Sequence, residues 1–171
     1  MASTLLTTAG LAFFPAVMAL CASTDLLTMT IPNRLCTSLA LGYFVLAAGF
    51  QAPGEVILLN LSCGLTILAI SFAMFSVGWI GGGDAKLAAA TALWMGWSLV
   101  LDFGIIAAVC GGFLTLGILA GRTMPLPTVL ERWAWIVRLH DRKSGVPYGI
   151  ALAAAGMAQY PHSHIWAAAV A

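Results

Sequence analysis

The sequence predicts an all-α membrane protein, a bundle of about six transmembrane helices, and three observations support this fold class. Hydrophobic residues make up 61% of the 171 residues and charged residues only 8%, about a third of the charged share of a soluble domain. The apolar residues form runs long enough for helices that cross a bilayer. Polar and turn-forming residues separate these runs. We expect a single domain over residues 1–171, because this length leaves no room for a separate soluble module.

The apolar runs define the candidate helices in chain order, and each boundary has a residue-level reason. The runs cover residues 4–23, 35–50, 56–80, 87–101, 103–120 and 146–160. No Lys or Arg precedes the first run, so we interpret it as a retained helix and not as a signal peptide. Pro32 favours the start of the second helix. Asp102 separates the fourth run from the fifth, and Pro161 breaks the chain after the sixth.

The distribution of basic residues predicts the orientation. All Lys and Arg lie at three places, which are Arg34, Lys86 and the segment 121–146. With six crossings these places share one side, and an excess of Lys and Arg marks the cytoplasmic side. Asp25 and Asp84 are two crossings apart, so both are expected at this cytoplasmic face. The near-neutral charge and the lack of a basic run with interleaved aromatics argue against nucleic-acid binding.

The cysteines and histidines do not form the pattern of a metal or disulfide site. No C-x-x-C occurs, and each cysteine lies in or beside an apolar run. His162 and His164 form an H-x-H, but no further ligand lies nearby in the sequence. We therefore predict no metal and no cofactor.

Two close carboxylates provide the minimum equipment for acid and base hydrolysis of an amide. A close pair holds one shared proton, so one member activates water while the other polarises the substrate carbonyl. Gly81 and Gly83 lack a Cβ, which allows close approach of a substrate backbone. Each acid alone is equally consistent with a structural role. Asp25 would then cap the helix that follows, and Asp84 would pair with Lys86 or Arg34.

Three segments together resemble one known family. Gly81-Gly82-Gly83-Asp84-Ala85-Lys86 resembles the G-x-G-D-x-K motif of type IV prepilin peptidases, which are membrane aspartic proteases. Asp25, followed six residues later by Ile31-Pro32-Asn33, is similar to their D-x5-I-P-N motif. Val146-Pro147-Tyr148-Gly149 resembles a further segment of the family. The three matches occur in the order that the family shows.

This resemblance implies an endopeptidase of the bacterial inner membrane. It would remove the basic leader of pilin precursors, which precedes a long apolar helix, at the cytoplasmic face. Asp25 and Asp84 would be the catalytic pair, Gly81 and Gly83 would shape the site, and Lys86 would be an electrostatic neighbour. The chain is similar to the minimal form found in tight-adherence (Flp) pilus systems, without a methyltransferase domain. The implied partners are a pilin precursor and the lipid bilayer.

Two alternatives for the function stay open at this point. The chain could be another G-x-G-D intramembrane aspartic protease, or a small transporter or channel subunit that uses Asp84 for proton traffic.

The segment 121–146 also has two interpretations. Its tryptophans and basic residues are typical of an amphipathic helix on an anionic membrane surface, but an ordinary solvated connector is equally consistent.

Overall fold

The structure is a computed structural model that describes residues 2–171, and within this range it is helical without β-strands. This range contains seven α-helices and two short 3-10 turns, joined by connecting segments. The α-helices are α1 (Ala2–Thr28), α2 (Asn33–Gly49), α3 (Gly54–Ser76), α4 (Gly82–Gly121), α5 (Ala134–His140), α6 (Gly149–Gln159) and α7 (His164–Val170). The 3-10 turns are Leu130–Arg132 and Tyr160–His162.

The outer surface of the bundle is apolar. Three helices are long and apolar enough to cross a membrane, namely α1 from Thr4, α3 and α4. Large apolar side chains such as Leu5, Leu101 and Phe113 point outward and are exposed. Such a surface is stable only against lipid, because a soluble protein rarely exposes large contiguous apolar patches. The predicted fold class, an all-α membrane helix bundle, is confirmed.

The first helix is longer than its apolar run predicts. The run ends near residue 23, whereas α1 continues to Thr28. Asp25 therefore lies in the last turn of α1 and does not follow the helix. The helix ends at Met29, which has the left-handed φ of 55° that does not continue a right-handed helix. The turn 29–32 then leads directly into α2.

The break in α4 lies at Gly96 and not at Asp102, where the sequence predicted it. Asp102 is an exposed residue inside a continuous helical segment. Gly96 instead has φ 63° and ψ −177°, which interrupts the helix. Glycine is required there for two reasons. The positive φ strains any other residue, and a Cβ would lie 2.3 Å from Oδ1 of Asn60.

The chain reverses direction at this break, so the two halves of α4 run side by side. A straight helix would place Asp84 and Ala107 about 35 Å apart. The two ends nevertheless meet around the start of α6. The Tyr148 hydroxyl donates to the Ala107 carbonyl at 3.3 Å, and the next residue, Gly149, donates to Asp25, which lines one cavity with Asp84. Gly96 thus brings the start and the second half of α4 to the same end of the bundle.

The core of the bundle is centred on Trp94, which is 1% exposed. The rings of Phe14, Tyr43 and Tyr160 surround it at centroid distances of 5.0, 5.7 and 5.8 Å. Its indole N–H donates to the Leu39 carbonyl at 3.0 Å, so the buried polar atom is satisfied. This aromatic cluster joins α1, α2, α4 and the 3-10 turn after α6, and it fixes the helices that carry the carboxylates.

Arg122 holds the segment between α4 and α6 against the end of the bundle. This buried guanidinium donates to the carbonyls of Leu139, Ser144 and Gly145 at 2.8–3.1 Å. Arg138 on α5 donates to the Leu27 carbonyl at the end of α1 at 2.8 Å. The segment is therefore anchored to two helices. Whether its exposed side chains contact lipid stays a prediction.

Candidate active site

Asp25 is buried, at 6% exposed, and it contacts the start of a distant helix. Its Oδ2 accepts a hydrogen bond of 2.7 Å from the backbone N–H of Gly149, the first residue of α6. The suggestion that Asp25 caps the following helix is therefore wrong, since α2 begins after Pro32 without a side-chain cap. Asp25 instead satisfies an N–H group that every helix start leaves without a partner in its own helix.

Asp84 lies in the first turn of α4 and is half-buried. Its carboxylate packs over the backbone of Gly81, where a Cβ would lie 3.0 Å from Oδ2. Gly81 has an ordinary extended conformation with φ −71° and ψ 145°. The glycine is thus needed here for space and not for an unusual backbone angle.

Gly83 brings the two acid-bearing segments together. A Cβ at this position would lie 3.3 Å from Cβ of Ile31, in the turn after α1. The glycine lets the first turn of α4 rest against this turn. The expected role of Gly83, room for a substrate backbone, stays a prediction, but its contact with Ile31 gives it a packing role as well.

The two carboxylates line a single cavity. Asp25 and Asp84 both face a space of about 260 Å³. The cavity is also lined by Met29, Thr30, Ile31, Gly81, Gly82, Gly83 and Lys86. All five residues predicted for the site thus lie around one opening. Among residues 2–171, no three His, Cys, Asp or Glu side chains are arranged as metal ligands.

Lys86 contacts the other motif and not the neighbouring acid. Its exposed side chain donates from Nζ to Oδ1 of Asn33 at 2.9 Å. Asn33 belongs to the I-P-N segment and begins α2. Lys86 therefore links the start of α4 to the start of α2 at the edge of the cavity.

Sequence reasoning gave no role to Gly149, which contacts Asp25, or to Tyr148, which precedes it and packs against α4. A Cβ on Gly149 would lie 2.8 Å from Oδ2 of Asp25 and 2.9 Å from Cδ1 of Ile31. The Tyr148 ring covers Gly111, where a Cβ would lie 2.2 Å from ring atoms. The sequence signal for these residues is the V-P-Y-G segment. Its resemblance to the family predicts no contact with Asp25.

Comparison with known proteins identifies the family. The model of the type IV leader peptidase family matches residues 12–116, well over half of the chain. This stretch contains Asp25, Asp84 and the segments around them. The chain belongs to the type IV leader peptidase family. The predicted resemblance is confirmed. The matched stretch ends before α6. The comparison therefore does not cover the contact between Gly149 and Asp25, which is seen in the structure.

A curated relative supports the assignment. The chain is 26% identical over 137 residues to the prepilin leader peptidase/N-methyltransferase of Aeromonas hydrophila, an alignment that covers 77% of this chain and 42% of the relative. The matched region thus spans about two fifths of the length of that relative. No solved structure matches the chain.

Proposed function

We propose that this leader peptidase family member is an aspartic endopeptidase that removes the leader of type IV pilin precursors, of the Flp-like kind, at the cytoplasmic face of the inner membrane. The observation that carries the proposal is the convergence of Asp25 and Asp84, from two separate helices, on one cavity. Family membership favours a leader peptidase over a transporter and over an unrelated G-x-G-D protease.

The geometry supports separate roles for the two carboxylates and for the backbone groups around them. A pair of carboxylates that shares one proton takes a proton from water with one member and donates a hydrogen bond to the scissile carbonyl with the other. The Gly149 N–H fixes one oxygen of Asp25, so this acid keeps its orientation. Asp84 is less buried and sits at the glycine-lined side, where an extended substrate has room to approach.

The direct test is cleavage of a pilin precursor by the purified chain in detergent. Because the proposed mechanism uses two carboxylates, we expect a single cut that releases the leader, at the same rate with and without EDTA. Mass spectrometry of both products identifies the bond. Loss of cleavage in EDTA that a divalent metal restores would contradict an aspartic mechanism.

The proposed cytoplasmic position of the cavity predicts a labelling pattern. Gly54, at the start of α3, lies at the opposite end of that helix from the turn that precedes Asp84, whereas Lys143 is on the segment that Arg122 anchors near the cavity. Both positions are exposed. In a background with the native cysteines replaced by alanine, a membrane-impermeant thiol reagent added outside intact cells should modify Gly54→Cys and spare Lys143→Cys. The opposite pattern would place the carboxylates on the wrong side for a cytoplasmic leader.

A further inference from the structure

A second cavity lies beside the first, in the apolar part of the bundle. Helices α2 and α3 both pack against α4 but make little contact with each other. They leave a cleft of about 450 Å³ between them, with the first half of α4 as its floor. The cleft is lined by Asn33, Cys36, Thr37, Ala40, Phe44, Leu61, Gly64, Leu65, Leu68, Lys86, Ala89, Ala90 and Leu93.

The cleft is polar at only one end. Asn33 and Thr37 on α2, together with Lys86 on α4, lie at the end that adjoins the carboxylates. Beyond them the walls are aliphatic or aromatic. Lys86 lines both this cleft and the cavity that contains Asp25 and Asp84. The two spaces are therefore neighbours that share one residue at their boundary.

We propose that this cleft binds the membrane-embedded apolar helix of the substrate, on the carboxyl side of the bond that is cut. This inference rests on the proposed function and deepens it. The helix lies on the floor of α4 between α2 and α3, and its amino-terminal end reaches Lys86. The chain beyond that end continues in extended form into the cavity, where Asp25 and Asp84 meet the scissile bond.

The shape and chemistry of the cleft favour a helix as its occupant. Within a membrane, helices associate through close packing, and small residues allow their backbones to approach. Ala40 on the α2 wall and Ala89 on the floor line the cleft, so these two sides permit this approach. Gly64 on α3 is buried against the floor, where a Cβ would lie 3.2 Å from Leu93 Cβ, and it lets α3 pack closely on α4. Continuity with the cavity adds a second argument. A polypeptide helix that ends at Lys86 continues into further residues, which would enter the cavity that contains the carboxylates. A lipid acyl chain has no such continuation.

A bulky residue in the cleft should weaken binding of the full precursor only. Leu65 is 55% exposed on the α3 wall, and Leu41 is 60% exposed on α2 but outside the cleft. Leu65→Trp and Leu41→Trp are therefore matched variants. We expect Leu65→Trp to raise KM for the precursor about tenfold with little change in kcat, the pattern of lost ground-state binding. Cleavage of a short soluble peptide that spans the cut but lacks the apolar helix should not change.

Two kinetic results would overturn the proposal. One is equal kinetics of Leu65→Trp and Leu41→Trp on the precursor. The other is an equal loss for Leu65→Trp on both substrates, which would mean that the cleft does not act on the apolar helix that only the precursor has.

Cross-linking provides a readout that does not need turnover. A benzophenone amino acid at position 65 or 41, in an Asp84→Asn background in lipid vesicles, should yield a precursor adduct from position 65 alone. Lipid adducts without precursor at position 65 would overturn the proposal. Failure of the proposed function gives a different result from failure of this proposal. If the proposed function is wrong, the wild-type chain cleaves neither substrate. The adduct at position 65 still reports whether the precursor occupies the cleft.

Discussion

Replacement of either Asp25 or Asp84 with asparagine is expected to lower leader cleavage by at least about 100-fold, the lower end of what a general acid or base contributes. Asparagine has nearly the same shape as aspartate but neither ionises nor donates an acidic proton. Asp25→Asn can still accept the Gly149 N–H through its amide oxygen, so the link between α1 and α6 is retained. The loss therefore reports on chemistry and not on folding.

The control for this prediction is Asp102→Asn, the same substitution at an exposed carboxylate in the second half of α4. It should cleave at the wild-type rate. Initial rates on a pilin precursor, at matched amounts of purified protein, measure all three variants. A variant at position 25 or 84 that keeps near wild-type activity would rule out the proposed catalytic pair.

Enlargement of Gly149 is expected to have the second-largest effect. A Cβ there lies within 3 Å of both Asp25 Oδ2 and Ile31 Cδ1, so Gly149→Val pushes the acid and the start of α6 apart. Displacement of a reacting group by about 1 Å costs on the order of 100-fold in rate. We expect a loss of that size for Gly149→Val and an intermediate loss for Gly149→Ala.

Gly112→Val provides the matched control, because a Cβ at Gly112 meets nothing within 4 Å. It should leave cleavage unchanged. The amount of each protein in the membrane and its melting temperature in detergent separate misplacement of Asp25 from loss of the fold. If stably folded Gly149→Val cleaved as fast as Gly112→Val, the contact between Asp25 and α6 would have no part in catalysis.

The common location of the two acids could be predicted from the sequence because it depends only on counting. Two crossings return the chain to the same side, so Asp25 and Asp84 had to share a face whatever the packing. The break within α4 lies beyond both acids in the chain, so its position does not affect this argument. Asp102 interrupts the apolar sequence and separates the predicted fourth and fifth helices, whereas the reversal occurs at Gly96. In an apolar run a glycine resembles any other small residue, and the role of Gly96 becomes visible only in its positive φ and its close approach to Asn60.

The contacts that position the acids could not be predicted. The bond from Gly149 to Asp25 joins residues 124 positions apart, and no local pattern encodes which helix start meets which helix end. Lys86 was expected beside Asp84, its near neighbour in sequence. Its hydrogen bond to Asn33 depends on the packing of α2 against α4, which hydrophobic periodicity does not specify.

The reversal at Gly96 has a consequence for how the chain is accommodated in the membrane. The first half of α4, from Gly82 to Met95, rises only about 20 Å, whereas the hydrocarbon core of a bilayer is about 30 Å thick. This half therefore falls short of the full thickness of the core. Other helices cover most of it, since Ala85, Leu87 and residues 89–96 are buried. Interrupted helical backbone at membrane depth is tolerated where protein surrounds it, so the packing around Gly96 is what allows a segment this short to hold Asp84 at its end.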